Sequence, residues 1–246
     1  GNHVIIKPKH NSMKKILSVL AILLAVVFSS VAFSSCSSDD GTETSSFGFS
    51  KDTYMTVVGR SGKVSFNGSA SSWNSSNDFI ASVESDGTIT ANHVGKCEIT
   101  ASAGRQSAKC TIDVEPIYTT YTDPLIKWGA SKADVKAYEK RNLQKEDDKA
   151  LYYTIDKGAV KGLSYNFEDG KLKAVLVVID HEYNTTIATE MAAFLKERYR
   201  VISVSSKVSY FSDGKDQASS STLVIVQLDP SGYRGMMSVY YMPYTD

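Results

Sequence analysis

Residues 47–115 alternate apolar and polar side chains over short runs, and turns rich in glycine, asparagine, aspartate and serine separate these runs. In residues 96–101 and 109–114 every second side chain is apolar, which places Cys97 and Cys110 on the apolar side of their runs. Successive side chains of a β-strand point to opposite faces, so such runs bury one face and expose the other. The pattern therefore predicts an all-β sandwich over residues 47–115.

Asp86-Gly87 separates two of these runs, residues 80–83 and 88–91. An Asp-Gly pair favours a tight hairpin turn because glycine adopts positive φ at little steric cost. We therefore expect the two runs to pair as a hairpin.

Four motifs in this part of the chain are similar to those of the group 2 bacterial immunoglobulin-like domain. They are Trp73-x-Ser75-Ser76-Asn77, Ala81-Ser82-Val83, Asp86-Gly87-Thr88-Ile89-Thr90-Ala91 and Gly95-x-Cys97-x-Ile99-Thr100-Ala101. The resemblance implies an N-terminal all-β immunoglobulin-like sandwich. Such domains are stalks, spacers or adhesive modules in bacterial surface adhesins, so the resemblance implies a location and a class of role but no particular ligand.

Residues 13–36 have the organisation of an export signal. Lys14 and Lys15 precede an apolar run over residues 16–28, and small residues lead to Cys36. A single transmembrane helix is the alternative, since an apolar stretch over residues 16–33 reaches the lower limit of a span. The serines within and after that stretch weaken this alternative.

The run Phe33-Ser34-Ser35-Cys36 resembles a bacterial lipobox, with Phe33 where leucine is commoner. The resemblance implies a lipoprotein signal peptide over residues 13–35, cleavage before Cys36, and a lipid on Cys36 that anchors the chain to the bacterial outer membrane, on its cell-surface or periplasmic face. Residues 1–12 precede Met13, and we interpret them as an upstream remnant or an over-extended reading frame.

Residues 36–46 contain serine and acidic residues and almost no apolar ones, which predicts an extended, solvated tether. The segment resembles the acidic signal that follows the acylated cysteine in some surface-displayed lipoproteins of Gram-negative bacteria. A plain spacer is the alternative.

The charge balance argues against nucleic acid as a partner. Residues 1–35 hold four of the 27 basic residues and no acidic one, so the rest of the chain is mildly acidic. Nucleic-acid binding depends on basic patches that meet phosphates, and the sequence has none.

Cys97 and Cys110 lie on successive predicted strands and could face each other across the connection around Gly104-Arg105. Export permits a disulfide between them, and the strand register decides whether it can form. We expect the disulfide; two reduced cysteines that pack as small apolar side chains are the alternative.

Residues 117–246 differ in character, because they combine two helical patterns with strand-like runs. Ser131-Lys132-Ala133-Asp134 has the form of a helix cap, and Ile187, Met191, Phe194 and Leu195 follow helical spacing. Three strand-like runs follow each helix, which predicts an α+β domain of tandem αβββ units, with two helices on an antiparallel sheet. The runs are residues 151–155, 163–167 and 172–179, then 200–205 with an extension to 211, 222–228 and 236–242.

Two motifs in this domain resemble the β-lactamase-inhibitor-protein-like fold and small outer-membrane-assembly lipoproteins. They are Gly129-Ala130-Ser131-x-x-x-Val135 and Tyr165-x-Phe167-x-Asp169-Gly170-x-Leu172. The resemblance implies a noncatalytic protein-binding domain with a tyrosine-bearing sheet face.

The sequence has no catalytic, cofactor-binding or metal-binding motif that we recognise. Asp180-His181-Glu182 is the densest group of ligand-type residues, but consecutive positions on a strand do not converge, so we interpret it as a solvated turn. The acidic runs at residues 146–148 and 213–216 lack the full spacing of a calcium loop and predict polar loops. We therefore expect no enzyme, no cofactor and no metal site.

Thirteen of the fourteen tyrosines lie after residue 116. Tyrosine offers a large, rigid contact area with a polar end and is enriched at recognition surfaces. If the helices cover one sheet face, Tyr240 with Tyr152 or Tyr153 would form an exposed binding face on the other. Half-buried sheet packing is the alternative.

These observations favour an adhesion or binding protein that presents its C-terminal domain on an immunoglobulin-like stalk and recognises an unknown protein or glycan. The alternatives are a structural subunit of an envelope assembly and, less favoured, a hydrolase of envelope polymers, which would need two carboxylates converging in a cleft.

Overall fold

The structure is a computed structural model, and it describes residues 46–180, 185–228 and 236–244. The predicted signal peptide over residues 13–35, the lipidation site Cys36 and His181 lie outside the described residues. So do residues 1–12 and all but the last residue of the predicted tether. Within the described ranges the chain forms two hydrophobic cores, one on each side of a linker near residue 116.

The first part consists of strands only. They are β1 (Gly48–Phe49), β2 (Thr53–Val57), β3 (Ser61–Gly62), β4 (Phe66–Asn67), β5 (Ser72–Ser75), β6 (Ala81–Val83), β7 (Ile89–Ala91), β8 (Gly95–Ala103) and β9 (Gln106–Glu115). One sheet has the order β2-β9-β8-β5, in which β2 and β9 are parallel, and a second has the order β3-β7-β6. A short pair, β1-β4, completes this part.

The core of the first part confirms the alternation seen in the sequence. Cys97, Ile99 and Ala101 on β8 are buried, as are Cys110, Ile112 and Val114 on β9. The intervening residues of both strands are more exposed over most of their length. Buried residues from β2, β6 and β7 join the same cluster, so the core lies between the sheets.

The hairpin at Asp86-Gly87 is also confirmed. β6 and β7 pair antiparallel on either side of it, and Gly87 has φ 83°. A Cβ on Gly87 would lie 2.7 Å from Cζ2 of Trp73, so this position needs glycine for space as well as for backbone conformation. Asp86 accepts a hydrogen bond from the N–H of Thr88 at 2.9 Å, and this bond, together with the Thr88 hydroxyl and Lys63, lowers the pKa of Asp86 to about 2.

The second part consists of two helices and eight strands. They are α1 (Lys132–Tyr138), β10 (Leu143–Glu146), β11 (Ala150–Lys157), β12 (Val160–Glu168), β13 (Lys171–Asp180), α2 (Thr185–Lys196), β14 (Arg200–Val204), β15 (Val208–Ser212), β16 (Thr222–Leu228) and β17 (Met236–Pro243). The strands form one antiparallel sheet in the order β10-β11-β12-β13-β17-β16-β15-β14.

Both helices pack against the same face of this sheet. Val135 of α1 and Met191, Phe194 and Leu195 of α2 join one buried cluster with side chains from six of the strands. The predicted cap is present, because Ser131 accepts a hydrogen bond from Asp134 N at 3.2 Å while the Asp134 carboxylate accepts one from Ser131 N at 2.9 Å. The spacing of both helical patterns is therefore confirmed.

The expected count of three strands after each helix is wrong, because four follow each helix. β10 was missed since all four of its residues are exposed and show no apolar alternation. β14 and β15 were interpreted as one strand, but a turn at residues 205–207 separates them. Ser205 holds that turn, because its hydroxyl accepts hydrogen bonds from the N–H groups of Lys207 and Val208.

The expected disulfide is not formed, and this prediction is corrected by the strand register. Cys97 and Cys110 are both free and buried. Cys97 lies opposite Ile112 and Cys110 lies opposite Ile99, so the two cysteines are diagonal neighbours. Diagonal Cβ atoms in an antiparallel pair lie about 7 Å apart, whereas a disulfide needs about 4 Å.

Burial raises the pKa of the Cys110 thiol to about 12 and also raises that of Cys97. We therefore expect neither thiol to react with iodoacetamide in the folded protein at pH 8, because the thiolate is the reactive form. Both should be alkylated in denaturant without reductant, as peptide mass spectrometry would show. Unmodified Cys97 and Cys110 joined in one disulfide-linked peptide would contradict the assignment.

Candidate functional site

The face of the eight-stranded sheet opposite the helices carries a continuous row of cross-strand neighbours. The strand register places Tyr152, Tyr240 and Tyr210 in that row, each in register with its neighbours on the adjoining strands. The full row runs Lys145, Tyr152, Ser164, Leu176, Tyr240, Ile225, Tyr210 and Ser203. We call this side of the sheet the outer face.

Tyr152 and Tyr240, two of the three tyrosines expected on an exposed face, lie on the outer face. Tyr152 and Tyr210 are each 37% exposed, and Tyr240 is half-buried. With a strand spacing of about 4.8 Å, Tyr240 lies about 10 Å from Tyr210 and about 14 Å from Tyr152 along the row. Lys145 Nζ lies 5.5 Å from the centre of the Tyr152 ring and covers part of it.

Tyr153 does not belong to this face, and that part of the prediction is wrong. It is 4% exposed and packs in the helix-side core, with its ring 5.8 Å from that of Tyr165. Tyr152 and Tyr153 are consecutive on β11, so they must point to opposite faces of the sheet. The sequence does not decide between them, because residues 151–155 have apolar side chains at both odd and even positions of the strand.

Tyr210, Leu176 and Ile225 complete the apolar part of the row, and the sequence patterns do not single them out. Tyr210 lies on β15, which was merged with β14 in the expected strand pattern. The signal that could have found it is the serine pair at 205–206, which is typical of a turn between two strands.

Four other tyrosines are structural. Tyr121, Tyr165, Tyr199 and Tyr241 lie in or against the helix-side core. The hydroxyls of Tyr121 and Tyr241 are hydrogen-bonded at 2.6 Å, and Tyr165 accepts a hydrogen bond from the N–H of Leu125 at 2.9 Å. Burial raises the pKa of each of these tyrosines, so they stay neutral.

The acidic runs identified in the sequence are engaged in local structure. Glu146 pairs with Lys136 at 2.5 Å, and Asp147 accepts hydrogen bonds from the N–H groups of Lys149 and Ala150. Asp213 accepts from Ser221 and Thr222. Among residues 46–180, 185–228 and 236–244, no group of three or more ligand-type side chains converges on a metal site.

Glu197 lies directly after α2. It connects the second part of the chain, which contains the eight-stranded sheet, to the first part. Its main-chain carbonyl accepts a hydrogen bond from the N–H of Val94 at 2.7 Å, and Val94 lies between β7 and β8. Its carboxylate accepts hydrogen bonds from the N–H groups of Ile117 at 3.1 Å and Tyr118 at 3.0 Å, in the linker. One residue therefore binds both the linker and the first part of the chain.

Arg198 holds the next segment of the linker. Its guanidinium donates two hydrogen bonds to Asp123, at 2.7 and 3.1 Å, and one to the carbonyl of Tyr118 at 3.3 Å. It also lies 3.7 Å above the ring of Phe194. Glu197 and Arg198 are both buried, and their side chains approach within 3.7 Å of each other. We call these two residues the linker clamp.

Comparison with known families assigns the first part of the chain. Residues 56–114 match the model of the bacterial Ig-like domain (group 2) family. The match lies within β2 to β9, the strands that build the first sandwich. No curated protein matches the chain. Neither helix in the described part of the chain is long and apolar enough to cross a membrane.

The linker clamp predicts that Glu197→Ala releases the linker from the end of α2. The substitution leaves the main-chain N–H groups of Ile117 and Tyr118 without their acceptor and removes the carboxylate that lies 3.7 Å from Arg198, while Arg198 keeps Asp123, so it should destabilise the protein by about 1–3 kcal/mol. Urea denaturation would measure this cost, and ¹⁵N relaxation would show faster motion of the amides of Ile117 and Tyr118. Glu168→Ala, an exposed acidic residue of β12, is the control, and equal behaviour of the two variants would refute the clamp.

Proposed function

We propose that this chain is a cell-envelope lipoprotein that binds another protein through the outer face of its C-terminal domain. In this proposal a lipid on Cys36 anchors the chain to the outer membrane, residues 37–46 form a tether, and the immunoglobulin-like domain acts as a stalk. The C-terminal domain, an α+β module similar to the β-lactamase-inhibitor-protein-like fold, is the recognition domain.

The observation that carries the proposal is the aromatic and aliphatic character of the outer face. Both described helices contribute to the core on the other side, so Tyr152, Tyr210 and Tyr240 are left with Leu176 and Ile225 on a face without helices. Leu176, Tyr240 and Ile225 are half-buried and form an unbroken run with the exposed Tyr210, and Tyr152 lies beyond the buried Ser164. Isolated exposed apolar residues are ordinary, but a group of adjoining, partly exposed apolar side chains is typical of an interaction surface.

The dimensions of the outer face favour a protein as the ligand over a small sugar. Eight strands at about 4.8 Å spacing give a face about 34 Å wide, and the strands of seven to ten residues, β11 to β13, β16 and β17, make it about 24 Å or more long. That area is comparable with the ~800 Å² that each partner contributes to a standard protein–protein interface.

The linker clamp supports display of this face in a fixed orientation. If the linker were flexible, binding a partner at a distance from the membrane would restrict the motion of the C-terminal domain, and this would cost entropy. A domain that the linker clamp already holds does not incur that cost. A structural subunit of an envelope assembly would benefit from the same rigidity and is the second candidate. The proposal assigns no catalysis to the chain, and domains of the matched family are typically non-catalytic.

We expect Tyr210→Ala combined with Tyr240→Ala to weaken capture of the protein partner at least 30-fold, because truncation of a single central tyrosine of an interface costs about 2 kcal/mol or more, which alone corresponds to about 30-fold. The measurement is a pull-down from envelope and host-cell extracts, with quantification of each captured protein. Tyr118→Ala is the matched control, since Tyr118 is also 37% exposed but lies in the linker.

Unchanged capture by the folded double variant would contradict a role for the outer face. Loss of binding to a glycan array, with protein capture unaffected, would replace the protein by a glycan as the ligand. Loss of an envelope complex with no soluble ligand captured would favour the structural subunit.

Lipid anchoring predicts that Cys36→Ser abolishes incorporation of radioactive palmitate, because the sulfur that would carry the lipid is removed. Cys97→Ser is the matched control, since Cys97 is buried in the first sandwich and should leave labelling unchanged. Protease treatment of intact cells then distinguishes surface display from the periplasmic face. Labelling of Cys36→Ser at the wild-type level would refute the anchor.

A further inference from the structure

A cavity of about 90 Å³ lies on the helix side of the sheet, between α2 and the strands β14 to β17. Ala188 and Ala192 face it from one side of the helix, one turn apart, and Phe211 and Met237 face it from the sheet. Protein interiors are normally close-packed, and a cavity with an apolar lining can take up apolar molecules. The two alanines leave the space that larger side chains would fill.

The wall formed by the β14–β15 hairpin differs from the others because it is polar. Lys207 is the only charged residue among the described residues that line the cavity, and it lies exposed in the turn that Ser205 holds. Ser209 lies half-buried in the same wall, and its hydroxyl makes no hydrogen bond to another described residue. An apolar interior with one cation and the hydroxyls of Ser206 and Ser209 at its edge matches an amphipathic anion.

We propose that this cavity binds a small aliphatic carboxylate, with its chain between α2 and the sheet and its carboxylate at Lys207. One water-sized group needs about 10–15 Å³ of cavity volume, so this cavity has room for about six to nine water-sized groups. A methylene group is of similar size, which makes octanoate the appropriate probe. The site lies on the opposite side of the sheet from the outer face and does not depend on the function proposed for that face.

The first test is titration of the full chain, labelled with ¹³C at its methionine methyl groups, with butanoate, hexanoate and octanoate. Met191 and Met237 line the cavity, whereas Met55, Met236 and Met242 do not. We expect saturable shifts confined to Met191 and Met237, with affinity rising about tenfold for each added pair of methylenes. Equal affinity for butanoate and octanoate, or shifts of all methionines alike, would refute the site.

The second test uses variants that change the cavity or its charge. Ala188→Phe should fill the cavity and abolish octanoate binding, whereas Ala137→Phe on the exposed side of α1 should not. Lys207→Gln should weaken octanoate about fivefold and leave octanol unchanged, since it removes only the charge. Lys215→Gln, an exposed lysine outside the cavity, is its control.

Lys207→Gln is a surface substitution, so it remains informative if Ala188→Phe fails to fold. Octanoate binding that Lys207→Gln leaves unchanged would overturn the carboxylate assignment. N-acetyl-leucine amide is the competitor that represents a protein side chain. If it displaces octanoate at a concentration below the one at which octanoate itself binds, the assignment is overturned in favour of a partner's side chain.

Discussion

The buried pair Glu197 and Arg198 is the interaction on which the arrangement of this chain depends. A buried carboxylate and a buried guanidinium are costly to desolvate, and they are tolerated only when hydrogen bonds satisfy them. Here the linker supplies those bonds: the N–H groups of Ile117 and Tyr118 meet the carboxylate, and Asp123 meets the guanidinium. The charges therefore bind the linker to the end of α2 instead of leaving it free.

The same segment joins the two cores. Glu197 follows α2, whose apolar side chains pack on the eight-stranded sheet, and its carbonyl accepts a hydrogen bond from Val94 of the first sandwich. The helix thus covers one face of the sheet and holds the domain beside its neighbour. The other face carries no helix, and it is where the exposed tyrosines lie. A cavity remains where two alanines of α2 replace larger side chains.

Much of the fold follows from local pattern. Alternation at residues 96–101 and 109–114 predicted the buried faces of β8 and β9, Asp86-Gly87 predicted its hairpin, and both helices lie where capping and spacing placed them. Each of these signals resides in a few consecutive residues. β10 and the β14–β15 turn were missed because exposed edge strands have no buried face to impose an apolar alternation.

The candidate site was only partly predictable. The alternation of β17 placed Tyr240 on one face or the other, but which face the helices cover depends on contacts between distant segments. The sequence also did not decide whether the cysteines face each other, since two antiparallel strands can pair in several registers. The observed register sets Cys97 opposite Ile112.

The sequence by itself therefore determined the strands and helices with strong periodicity, the immunoglobulin-like resemblance and the lipobox-like motif at Cys36, because each depends on residues close together in the chain. Only the tertiary structure decided which tyrosines are exposed, that the cysteines stay unpaired, that Glu197 and Arg198 hold the linker, and that α2 leaves a cavity. These features depend on strand register and on side chains up to 120 positions apart, such as Tyr121 and Tyr241. No local pattern encodes such pairings.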